Sequence, residues 1–134
     1  MNKNTESKSL PSLSNSFHPM KIVFSKEDCI QRYVWGQNCI GWTFIDNENF
    51  SVKQEIMPPG TAEQLHYHKN ATQVFFILKG NATFTIEGDV HNLSEQQGIE
   101  IKPNQNHFIA NNAAADLEFI LYSYPSTTND RINL

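Results

Sequence analysis

The stretch Gly60-Thr61-Ala62-Glu63-Gln64-Leu65-His66-Tyr67-His68-Lys69-Asn70-Ala71-Thr72-Gln73-Val74-Phe75-Phe76-Ile77-Leu78-Lys79-Gly80 holds two histidines two residues apart, followed by a run of β-formers. In a strand, side chains repeat with a period of two, so His66 and His68 project from one face. Two imidazoles on one face can share one metal ion. A helical pair would need a spacing of three or four. The chain holds five histidines, so the pair alone says little.

Working outward, short apolar stretches alternate with turn residues from Met20 to the end. Ile22-Val23-Phe24 is short and apolar. Gly41–Ile45 is rich in β-formers. Phe50, Val52, Gln54 and Ile56 alternate with Ser51, Lys53 and Glu55, a period of two that predicts a strand. Thr72–Leu78 is nearly all β-branched or aromatic. Ala82–Ile86 runs into the turn signal Glu87-Gly88-Asp89, and Val90–Leu93 returns from it as a hairpin partner. Ile99–Ile101, Phe108–Ala110 and Leu117–Tyr122 complete the set. Only residues 26–32 suggest a short helix. Strands spaced by roughly ten residues, with Gly, Pro and Asn between them, predict an all-β sandwich or barrel, of which the jelly roll is one form.

The composition agrees. A chain of 134 residues is one domain by size and can bury a core without staples. Residues 1–16 are polar and read as a flexible tail; residues 17–134 read as the single domain. Net charge is -4, and the ten Lys and Arg are scattered, which argues against nucleic acid as a partner. No apolar run approaches the ~20 residues of a membrane span, and the N-terminal region lacks a signal-peptide core. Cys29 and Cys39 read as free thiols, which suggests a reducing, cytoplasmic setting.

The frame around the histidines carries a resemblance. Gly60, His66, His68, Gln73 and Gly80 are similar to the first motif of the cupin superfamily, G-x5-H-x-H-x4-E-x6-G, with Gln73 where the family has Glu. His107 and Asn111 match the end of the second motif, G-x5-P-x-G-x2-H-x3-N. Its other positions are degraded: Gln96 and Asn104 stand for glycines and Lys102 for the proline. Asn104 is a mild change, since Asn tolerates the left-handed conformation that Gly supplies. The resemblance, to small stand-alone cupins, implies a double-stranded β-helix jelly-roll barrel. It also implies one divalent transition metal per chain (zinc, manganese, nickel or iron) on His66, His68, Gln73 and His107. His18 and His91 match no ligand position. Family habit further implies a homodimer, with residues 20–35 helping to pair the copies.

Gln73 bears on the chemistry. With Gln73 as a ligand, or with His66, His68 and His107 binding the metal alone, the donors are neutral and leave the full +2 on the ion, which makes it a stronger Lewis acid than a carboxylate-bound one. That favours non-redox work, of isomerase, lyase or cyclase type, on a small polar or sugar-like substrate. It resembles cupins that open uronate rings and cupins that cyclise polyketides, which also place Gln here. Two alternatives stay open: an iron-dependent dioxygenase in the same site, and a non-catalytic module that binds or senses a small molecule. Strand parity puts Phe75 beside Gln73 and Ile109 beside His107. Trp42, Phe44, Tyr122 and the polar Gln54 are further candidates for the substrate pocket. Glu63 is placed at the pocket mouth or as a solvated loop charge. No dedicated general base is evident.

Overall fold

The computed structural model describes residues 22–134, so the tail of residues 1–16 and His18 lie outside the described residues. Among the described residues, eleven strands follow a 3-10 turn at Lys26–Asp28. They are β1 (Gln31–Trp35), β2 (Cys39–Asp46), β3 (Ser51–Met57), β4 (His66–His68), β5 (Thr72–Lys79), β6 (Ala82–Ile86), β7 (Asp89–Leu93), β8 (Gly98–Ile101), β9 (His107–Ala110), β10 (Leu117–Tyr124) and β11 (Arg131–Asn133). All pairings are antiparallel. One sheet runs β1-β2-β3-β10-β5-β8, the other β11-β4-β9-β6-β7. The architecture is the expected double-stranded β-helix: from β3 onward the chain alternates between two facing sheets, the β6–β7 hairpin excepted, and the core lies between them.

Core residues come from both sheets. Trp35, Phe75, Ile77, Phe119 and Ile101 belong to the first; Phe84 and Ile109 belong to the second. Phe75 meets Phe84 at 4.9 Å and Phe119 at 5.4 Å between ring centroids, which ties the two layers together. The β6–β7 hairpin turns at Glu87 and Gly88, with φ of 49° and 84°. Positive φ at both central residues is the type I′ geometry that matches strand twist. At Gly80, φ is 86° and an added Cβ would sit 2.5 Å from the Asp116 carbonyl oxygen, so this motif glycine is a steric requirement. The motif Asn111 is fully buried. Its Nδ2 donates to the carbonyls of Met57 and Ala115, locking the loop after β9 onto the end of β3.

Two expectations need correction. Ile22-Val23-Phe24 forms no strand; it is an exposed bend whose Phe24 packs on Phe44. β3 has the expected period and the opposite phase. Ser51, Glu55 and Met57 are buried, while Val52, Gln54 and Ile56 are only partly covered.

Candidate metal centre

β4 is three residues long. It buries His66 and His68 and leaves Tyr67 half-buried on the other face, as alternation requires. β4 pairs with β9 so that His66 lies opposite His107. The three imidazoles converge: their candidate ligand atoms all lie within 4.8 Å of one another. Ring centroids are 4.2 Å apart for His66 and His107 and 5.1 Å for His66 and His68.

The tautomers follow from the hydrogen bonds. His66 Nδ1 lies 2.7 Å from the Gln64 carbonyl oxygen, and His107 Nδ1 lies 2.8 Å from that of Gln105. A carbonyl only accepts, so Nδ1 carries the proton and Nε2 the lone pair in both rings. Each histidine is thus aimed by the carbonyl two residues before it, the usual way a ligand imidazole is oriented. Both ring nitrogens of His68 are buried with no hydrogen-bond partner among the described residues.

Burial dominates the electrostatics. It pulls His66 down to about 3, against an upward push from Glu63 and with further lowering from Arg131 and His107. It pulls His68 down to about 2, with His66 and His107 adding to the effect. Both rings are neutral near pH 7, the form that binds metal.

Gln73 comes from β5, in the facing sheet, and is also buried. Its Nε2 donates to Ser123 Oγ at 3.2 Å, and its Oε1 is buried without a partner among the described residues. Ser123 sits opposite Gln73 on one side and Ser51 on the other, which makes a polar row across β5, β10 and β3. Buried polar atoms without partners are costly, and one cation would satisfy the lone-pair nitrogen of a neutral His68 and the Gln73 oxygen, leaving the other His68 nitrogen as an N–H. The nitrogen-and-oxygen donor set fits a divalent transition ion.

Groups that carry no motif signal surround the cluster. Glu63 is buried, where the sequence suggested a pocket-mouth or loop charge. It pairs with Arg131 at 3.4 Å, with both side chains 1% exposed. The same carboxylate accepts the Ile109 backbone N–H at 3.3 Å. Asp130 accepts the backbone N–H groups of Lys69, Asn70 and Ala71.

The pocket expectation is half corrected. Phe75 and Ile109 point into the interior, 1% and 0% exposed. Trp42, Phe44, Gln54 and Tyr122 instead share the outer face of the first sheet. Trp42 pairs in register with Gln54 and lies under the Lys26 ammonium at 4.1 Å. Phe44 packs on Phe24, Gln54 donates to Glu118 at 3.3 Å, and Tyr122 packs on Phe50. The phase of β2, β3 and β10 decides this. The interior face of β1 to β3 carries Tyr33 and Glu55, both buried, with the Tyr33 hydroxyl donating to the Glu55 carboxylate. Burial and the Glu55 charge push the Tyr33 hydroxyl well up, so it stays protonated.

The sequence profile described as "Cupin domain" matches residues 53–123. An uncharacterized protein of Methanocaldococcus jannaschii is 24% identical over 116 residues, covering 83% of this chain and 93% of that protein. A mannose-1-phosphate guanylyltransferase of Salmonella montevideo is 33% identical over 89 residues, 64% of this chain, yet the chain spans only 18% of its length. Among solved structures, an RmlC-like cupin of Shewanella frigidimarina superposes with a TM-score of 0.71 at 14% identity, covering 81% of this chain and 95% of that one.

Proposed function

The chain belongs to the cupin family, and from that premise we propose that it is a metal-dependent enzyme of isomerase, lyase or cyclase type. The observation that carries this reading is the cluster of three buried, converging imidazoles; the buried amide of Gln73 on the other sheet, rather than a carboxylate, supports its being completed as a neutral donor set. His66, His68, His107 and Gln73 would hold the ion. A divalent ion there supplies Lewis-acid polarisation of a substrate oxygen, undiminished by any ligand charge.

The chain's own residues supply the rest. The Gln64 and Gln105 carbonyls fix two of the rings, and Ser123 holds the Gln73 amide in place. Phe75 and Ile109 give the interior an apolar wall that excludes water and strengthens polar contacts. The buried, hydrogen-bonded Tyr33 hydroxyl and Glu55 carboxylate are interior groups that could hold a proton. A small polar, sugar-like substrate suits this mix of apolar wall and polar row. The partial likeness to guanylyltransferases, whose name includes a sugar phosphate, supports the same class.

The test is elemental analysis of gently purified protein beside a His66→Ala, His68→Ala double variant. About one zinc, nickel or manganese per chain, lost in the variant, is the expected result. Iron with oxygen consumption would instead favour the dioxygenase alternative. No metal, even after reloading with each ion, would overturn the reading and leave a metal-free binding barrel.

A further inference from the structure

β11 runs antiparallel to β4 and sets Arg131 opposite His68 and Asn133 opposite His66. The Arg131 guanidinium reaches three groups: Glu63 Oε2 at 3.4 Å, Asn133 Oδ1 at 2.8 Å and the Gln64 carbonyl at 3.5 Å. That carbonyl is the one that aims His66. Glu63 in turn accepts from Ile109, two residues after His107 on β9. The ion pair therefore joins β9 and β11 across the strand between them, which carries two of the three histidines. At the other end of β4, the Asp130 carboxylate gathers three successive backbone N–H groups in the turn between His68 and Gln73. Asp130 and Arg131 lie beyond residue 123, where the family profile stops.

A buried ion pair is a poor device for stability alone, because desolvating two charges consumes most of what their attraction returns. Its value lies in fixing positions. We infer that Glu63, Arg131 and Asp130 are positioning residues for the histidine cluster, holding β4 from both ends so that His66 and His68 face His107. This inference rests on the metal-binding reading above.

The variant that isolates it is Glu63→Gln/Arg131→Met. It removes one anion and one cation, so the net charge near the centre is unchanged and Coulomb attraction alone predicts the same metal affinity. Cobalt(II) is the probe, since its visible absorption reports ligand geometry. Positioning predicts cobalt binding about 10- to 100-fold weaker, the usual effect of losing groups that orient metal ligands, with an altered spectrum. Equal affinity and an unchanged spectrum would overturn the inference.

A second measurement needs no variant. Coupling between sites is reciprocal, so if β11 orders the cluster, a bound ion must hold β11 down. Hydrogen exchange at Ala71 and Leu134, whose N–H groups bond to Asp130 and to the Leu65 carbonyl, should slow about tenfold or more with cobalt. The β6–β7 hairpin should be unmoved. Exchange that cobalt leaves unchanged at Ala71 and Leu134 would overturn the inference. A wild-type protein that takes up no cobalt would overturn the metal reading itself, and this one with it.

Discussion

At the scale of single residues, the second motif looks degraded in letters and is intact in backbone. Gln96 and Asn104 stand where the family places glycines, and they adopt φ of 67° and 66°. Asn does this at small cost; Gln strains against its own Cβ. A Gln96→Gly variant should therefore be more stable by roughly 0.5–1 kcal/mol, after the added freedom of the unfolded chain is offset. Its backbone bond to the Ile77 carbonyl needs no side chain and is kept. The urea midpoint should rise, and a fall would refute the strain argument. The spacing of two made His66 and His68 legible, and the motif resemblance added Gln73 and His107; all four lie buried in the interior. Glu63–Arg131 and Tyr33–Glu55 were not legible, because their partners lie 68 and 22 positions apart and no local pattern announces them.

At the scale of elements, period was readable and phase was not. β3 alternates as expected, yet its more apolar set, Val52, Gln54 and Ile56, faces outward. Shifting a strand by one residue exchanges its two faces, so the choice depends on what the interior needs. Here the interior takes the polar set, because Glu55 meets Tyr33 there. The same logic explains β2. Gly41 faces inward beneath the Tyr33 ring, where an added Cβ would sit 2.1 Å from ring carbon Cζ. A strand glycine of this kind marks a close approach, and it was the one sequence signal that could have set the phase of β2 and with it the place of Trp42 and Phe44. β11 is three residues without alternation, so only its pairing with β4 reveals it.

At the scale of the whole molecule, the fold class was legible because strand spacing and turn chemistry are repeated along the chain, and repetition survives local errors such as the missing strand at 22–24. The buried histidines give the molecule a definite acid response. His66 and His68 are held at about 3 and 2 when folded and return to about 6.5 when unfolded. Between those values the unfolded chain binds more protons, so stability falls as pH falls. The metal-free protein should lose stability from about pH 6.5 downward, by up to about 1.4 kcal/mol per pH unit for each histidine. Thermal midpoints measured from pH 7 to 5 would show it, with a shallower fall in a His68→Gln variant. A flat profile would mean the rings are protonated in the folded state. The buried pair of Glu63 and Arg131 has a consequence on a longer timescale. Exchanging either one alone strands a charge, a loss of about 3–5 kcal/mol, so intermediates with one change are selected against. Across a lineage the two positions should be inherited as a single character, acid with base or neutral with neutral. A sampling of descendants in which they vary independently would count against that linkage.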